Sequence, residues 1–434
     1  MLSSFEAATL FIGTTLRQFP NRRQALQSFA VTAALAIVPA AGAVVRKKLP
    51  VSCVITAYHN NSHADVICGK ILEGFQQDGG AGPGLELVSL YVDQFPESDL
   101  SRELSRKHGF PIAKTIEDSI TLGTGKVQVA GVISVGEHGN YPYTPDTKQH
   151  MYPRRRFFDA ITATFKKCGS VVPVFNDKHL AYNWADAKHM YDTARKMKIP
   201  FMAGSSLPVA WREPQQVLPM GSVIEEALVL GYGGLESYGF HMLETMQCVV
   251  ERRRGGESGV RAVQALRGEK AWQAQQQGRW SIELLKAAAE AKGQDVSAEK
   301  IRAAVMNQGS AFYMLDYRDN VKVTAAMIGS LRAEFCLALK LKGKDEPFVS
   351  WFQLEDKKPY GHFAYLVKAI EEMVHTGQPS YPVERTLLTT GILDRAMHSL
   401  ANDGMAYQTP ELAISYKPVE WPYANQAGDN PYPC

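Results

Sequence analysis

Between Val51 and Ala203 short apolar runs alternate with amphipathic stretches, an order that few folds accommodate. The apolar runs are Val51 to Thr56, Leu85 to Val92, Val127 to Val135, Val171 to Phe175 and Phe201 to Ala203. Helical periodicity marks His63 to Phe75, Glu97 to His108, Ile116 to Leu122, Phe157 to Lys167 and Trp184 to Met197. Strand–helix alternation predicts a parallel sheet covered on both faces, a doubly wound α/β domain of Rossmann type. Its ligand belongs beyond the carboxyl ends of the strands. The tract Gly79-Gly80-Ala81-Gly82-Pro83-Gly84 precedes a strand and not a helix, so it reads as a turn rather than a phosphate loop.

After Ser205 the pattern changes. Pro208, Pro214 and Pro219 mark a linker, followed by helices over Tyr238 to Arg253, Glu269 to Gln277 and Ile282 to Lys292. Four strand-like runs come next, Ala311 to Tyr317, Val321 to Ile328, Ala333 to Leu341 and Pro347 to Gln353. Consecutive strands after helices predict an α+β domain with an antiparallel sheet. Two helices, Gly361 to Thr376 and Val383 to Ala401, and an extended tail from Pro410 close the chain. With 434 residues, 45% of them hydrophobic, there is material for two cores. The expected division is 1–43, 44–205 and 206–434.

Residues 1–43 read as a twin-arginine signal: Arg22-Arg23, an apolar stretch from Ser28 to Ala40, and Ala41-Gly42-Ala43 as a cleavage site. This predicts export to the periplasm or cell envelope, with an uncleaved anchor as the alternative. No second membrane-span candidate follows. A net charge of +3 and two short arginine clusters, Arg154-Arg155-Arg156 and Arg252-Arg253-Arg254, leave no nucleic-acid footprint. Both clusters read as solvated helix ends, the alternative for the first being an anionic substrate group. The six cysteines are scattered without metal-finger spacing and read as core thiols.

Four local features resemble the glucose-fructose oxidoreductase and myo-inositol dehydrogenase (Gfo/Idh/MocA) family. Ser62-His63-Ala64-Asp65 is similar to the His-Ala pair opening the family's first helix, and Asp93 ends the second strand where the family binds ribose. Asn176-Asp177-Lys178-His179 resembles the Glu-Lys-Pro signature, and Gly233 to His241 resembles the segment carrying the catalytic Asp and His. The resemblance implies a nucleotide-binding domain followed by an open-faced antiparallel sheet that relatives use for pairing, hence a homo-oligomer. It implies an oxidoreductase using NAD or NADP on a sugar- or cyclitol-like small molecule. Lys178 and His241 would be catalytic, Lys178 polarising the substrate oxygen and His241 taking its proton. Glu236, Ser237 and Asp177 would support them.

The cofactor would be held by Ala57, His59, Asn60, Ser62, His63, Asp93, Glu137 and His138. A carboxylate at Asp93 favours NAD over NADP. Three departures stand out. The fingerprint glycines are replaced by Ile55, Ala57 and Asn60, and a Cβ at Ala57 crowds a pyrophosphate. Asn60 is the mildest loss, because Asn tolerates left-handed backbone angles. The carboxylate expected four residues before His241 is Ser237, leaving Glu236 as a substitute. Glu137, His138, His59, His63, Asp177 and His179 offer enough oxygen and imidazole for a divalent metal, yet no spaced motif accompanies them, and a hydrogen-bonded polar cleft is the preferred reading. A lyase, epimerase or glycoside-cleaving enzyme on the same cleft, or a sugar-binding protein without cofactor, stays open beside the redox reading.

Overall fold

Every strand of the first sheet runs parallel to its neighbours. A computed structural model describes residues 47–427 apart from Gln294 and Asp356, so the twin-arginine segment and Cys434 lie outside the described residues. The strands β1 (Leu49–Ile55), β2 (Leu85–Val92), β3 (Ile112–Ala113), β4 (Gly131–Val135), β5 (Val174–Asp177) and β6 (Phe201–Gly204) form a six-stranded sheet in the order β3-β2-β1-β4-β5-β6. The order reverses between β1 and β4, which creates a crevice at their carboxyl ends. Helices α1 (His63–Glu73), α2 (Ser101–His108), α3 (Ile116–Thr121), α4 (Arg154–Cys168) and α5 (Trp184–Met197) provide the connections. Side chains alternate across β1: Val51, Cys53 and Ile55 join Val66, Ile67 and Ile71 of α1, while Val54 faces Ile161 and Phe165 of α4.

The second sheet has eight strands where the sequence reading had four. It comprises β7 (Arg212–Glu213), β8 (Ile224–Gly231), β9 (Val260–Leu266), β10 (Ala311–Tyr317), β11 (Lys322–Met327), β12 (Phe335–Leu341), β13 (Phe348–Phe352) and β14 (Tyr407–Gln408). The order is β14-β9-β10-β11-β8-β12-β13-β7. The sheet is mixed rather than antiparallel, because β8 pairs parallel with β11. β8 and β9 were hidden by charged or polar residues on their course, Glu225, Glu226, Arg261 and Gln264. Five of the six cysteines are described, and all five are free thiols.

The far face of this sheet is not open. Residues Tyr313 and Leu315 point to α6 (Ser237–Val250) and α11 (Val383–Ala401), whereas Phe312 and Met314 point the other way. That other face is covered by α7 (Gly268–Gln276), α8 (Ile282–Ala289) and α9 (Ala298–Met306) through Ala271, Leu285, Ala288 and Val305. Trp280 stacks on Phe312 with ring centroids 4.8 Å apart, and its Nε1 donates to the Ala271 carbonyl at 2.9 Å. The pairing surface on which the homo-oligomer expectation rested is therefore occupied by the chain's own helices. The remaining helix, α10 (Gly361–Thr376), returns to the first sheet, where Leu366, Ile370 and Met373 pack with β1 and α1. Among the described residues no helix is long and apolar enough to cross a membrane.

Candidate active site

The carboxyl ends of β4, β5 and β6 face α6 across a cleft of about 870 Å³. Lys178 follows β5 with a left-handed backbone (φ 44°), fixed where its N–H donates to the Gly204 carbonyl at 3.1 Å. Its side chain is buried, and its Nζ lies 2.8 Å from Glu137 Oε1. The other oxygen of Glu137 is held by Arg154, which is 0% exposed at the start of α4. Arg154 reaches it by running across Gly136, where a Cβ would come within 2.6 Å of the Arg154 Cγ. Burial opposes ionisation of Glu137, but the charges of Lys178 and Arg154 outweigh it and hold the carboxyl well below the usual carboxylate range. The cleft floor is thus a buried cation–anion–cation set.

Imidazoles surround that set. Ser62 caps α1 by accepting from the Asp65 N–H at 3.2 Å, which places His63 at the helix start with its Nδ1 2.7 Å from Asp177 Oδ2. His241 lies on α6 with its Nδ1 2.5 Å from Ser205 Oγ, and the ring centroids of His63 and His241 are 6.3 Å apart. Burial first, then the charges of Lys178 and His63, press the His241 pKa well below normal, so the ring is neutral. Burial, helped by His63, brings His138 down to about 4, and burial with Arg154 does the same to His179. His362 of α10 also lines the cleft, lowered by its burial to about 3.

The expected residues separate into two groups. His63, Glu137, His138, Lys178, Glu236, Ser237 and His241 line the cleft, and Asp177 stands behind His63. Ala57, His59, Asn60, Ser62 and Asp93 do not line it. Glu236 serves other partners than His241: its Oε2 accepts from the His150 N–H at 2.8 Å and its Oε1 sits 3.5 Å from His179 Nε2. The partner of His241 is Ser205. The residue in the left-handed turn is Asn61 (φ 58°), one position after Asn60, and its N–H donates to Asp65 Oδ2 at 2.9 Å. Ala57 is buried, His59 donates its N–H to Ser62 Oγ at 3.2 Å, and Asn60 is exposed.

Asp93 is surrounded by donors of this chain. Tyr91 Oη reaches its Oδ1 at 2.9 Å, while Tyr141 Oη and an Arg156 nitrogen both reach Oδ2 at 2.6 Å. Of the Arg154-Arg155-Arg156 cluster only Arg154 departs from a solvated helix end, being buried on Glu137; Arg155, paired with Asp159 and Asp186, and Arg156, which holds Asp93, stay half-exposed. Arg253 of the second cluster is likewise buried against Glu257. Sequence reasoning missed Arg154, Ser205 and Tyr141 as site residues. The available signal was position, since Arg154 opens a helix directly after the strap that leaves β4. Among the described residues no group of three or more His, Cys, Asp or Glu side chains is placed to hold a metal ion.

Comparison with known proteins places the architecture. No family model and no curated protein matches the sequence. Among solved structures, GenD2 from gentamicin A biosynthesis in complex with NAD is similar over 84% of this chain and 97% of its own, with a TM-score of 0.52 and 11% identity. An NAD binding oxidoreductase from Klebsiella pneumoniae is similar over 83% of this chain and 98% of its own, with a TM-score of 0.51 and 13% identity. At such identities the likeness is one of fold. It is the fold that the resemblance to the glucose-fructose oxidoreductase and myo-inositol dehydrogenase family implies, a Rossmann-like parallel sheet followed by a second, mixed sheet with helices.

Proposed function

We propose that the protein belongs to that dehydrogenase family and is an oxidoreductase moving a hydride between a nicotinamide dinucleotide, NAD in preference to NADP, and a hydroxyl-bearing carbon of a sugar- or cyclitol-like molecule. The observation that carries this reading is Lys178, buried at the carboxyl end of β5 in a left-handed backbone, with its ammonium on Glu137 and facing His241 across the cleft. The similar solved structures include proteins described as NAD-bound or NAD-binding. The reactive end fits: the cleft beside His63 and Lys178 is open, and the first-turn N–H groups of His63 and Ala64 have no intrahelical acceptor and suit an anionic phosphate. Asp93 would accept from ribose hydroxyls once its internal donors give way. When bound, the nicotinamide supplies the carbon that exchanges hydride with the substrate.

The chain's own residues do the rest. Lys178 donates a hydrogen bond to the substrate oxygen and stabilises negative charge growing on it, while Glu137 fixes the position of the ammonium. His241, neutral and oriented by Ser205, accepts the hydroxyl proton. His63, hydrogen-bonded to Asp177 and with its ring centroid 6.3 Å from that of His241, is placed to receive that proton next. The carboxylate–imidazole pair of this site is thus 177 with 63, rather than one on α6.

A non-redox acid/base enzyme on the same cleft is the second reading, favoured by the internal saturation of Asp93. Native mass spectrometry and NAD titration of the purified folded chain decide between them. A dinucleotide mass increment or saturable binding, followed by NAD reduction with a polyol panel, is expected. Absence of both overturns hydride transfer. We also propose export on the strength of the paired arginines, tested by fractionating cells with Arg22 and Arg23 intact or replaced by Lys.

A further inference from the structure

We infer that Tyr141 and Arg156 act as an internal stand-in for the ribose hydroxyls at Asp93, and that the strap carrying Tyr141 sets the protein's affinity for its dinucleotide. The inference rests on the redox reading above and concerns the end of the sheet edge that the cleft does not reach. An ionised carboxylate has about four acceptor positions, and here three donors already occupy three of them. Tyr91 belongs to β2, two residues before Asp93. Tyr141 and Arg156 come from elsewhere, the strap between β4 and α4 and the first turn of α4. A ribose offering two hydroxyls cannot be accommodated until at least one of these donors leaves.

The strap is built to hold this position. Gln94 and Asn140 exchange two hydrogen bonds, side-chain N–H to the Asn140 carbonyl at 3.0 Å and the Asn140 N–H to Gln94 Oε1 at 2.8 Å. Gly139 permits the fold-back at φ 96°, where a Cβ would stand 2.8 Å from the Tyr141 ring and 3.0 Å from Gln94 Oε1. At its far end His150 is stacked between Tyr143 and Tyr152, with centroids 4.2 and 3.9 Å away, and its N–H is held by Glu236. The strap therefore spans from the adenosine end to the cleft. Its Tyr141 hydroxyl occupies the acceptor that a nucleotide would need, so cofactor binding competes with a bond inside the protein.

The test is titration of the full chain with NADH, read by its fluorescence, for wild type, Tyr141→Phe and Gln94→Ala. Tyr141→Phe removes only the hydroxyl; Gln94→Ala loosens the strap without touching Asp93 or the cleft. Both variants are expected to bind NADH about ten-fold tighter than wild type, the equivalent of one hydrogen bond no longer displaced. Equal dissociation constants in all three overturn the inference and leave the redox reading intact, as does weaker binding by Tyr141→Phe. No binding by any of the three, with unfolding temperatures unchanged, overturns the redox reading itself and the inference with it.

Discussion

The two ends of one sheet edge are furnished in opposite ways. Over β1 and β2, Asp93 is answered by Tyr91, Tyr141 and Arg156, and Gln94 by Asn140. Over β4 to β6, buried polar atoms are left over: Asp177 Oδ1, His138 Nε2 and His179 Nδ1 have no hydrogen-bond partner among the described residues. Buried polar groups are normally satisfied, and an unsatisfied one costs about 1–3 kcal/mol. A cluster of them around an open cleft marks where the fold leaves work for a ligand or ordered water. At Asp93 the reverse holds, a recognition point already spent on the chain's own donors.

The largest break in this contrast comes from Glu137→Ala. It leaves Lys178 and Arg154 buried and unpaired, and unfolding by denaturant should show a loss of about 3–5 kcal/mol; a loss under about 1 kcal/mol would mean that the triad does not organise the cleft. Next, Lys178→Met should preserve the fold and lower turnover of an accepted substrate by about 10²–10⁴-fold. Unchanged turnover removes Lys178 from the mechanism.

Acid sharpens the contrast by direction. His138 and His179 have folded pKa values of about 4, below the roughly 6.5 of an unfolded imidazole, so below pH 6.5 the unfolded chain binds their protons first. Stability should be flat above that point and fall on acidification toward pH 4, by at most about 1.4 kcal/mol per pH unit for each ring. Glu137 adds in the same sense: its depressed pKa gives stability present above the unfolded carboxylate value and lost as pH falls through the folded one. Chemical unfolding midpoints across this range measure the slope, and His179→Gln should flatten it by one proton. Smallest of all, Arg155→Ala removes half-exposed pairs with Asp159 and Asp186 and should cost less than about 1 kcal/mol in the same assay.

How far the sequence discloses all this depends on whether a signal is local. The span 184–197 and the two C-terminal helices are read correctly to the residue, because each carries its own amphipathic period. β10 is equally plain, alternating between two cores. β8 escapes notice because Glu225 and Glu226 open it and its parallel partner β11 lies about a hundred residues downstream. At the site, the residue types near strand ends are visible, but their pairing is not. Nothing local tells that Asp177 will meet His63, that Ser205 rather than Glu236 will hold His241, or that Arg154 will be the one buried member of three adjacent arginines. Those are properties of elements meeting across the fold, with separations such as the 114 residues between His63 and Asp177.

The helices α7, α8 and α9 on the far face of the second sheet carry a further consequence. A sheet face covered by a second molecule is protected in proportion to that molecule's concentration, and dilution strips it. Here the cover is tethered, so its local concentration is set by short connections and does not change when the protein is diluted. The apolar side chains of Phe312, Met314 and Ala338 stay shielded in a single chain.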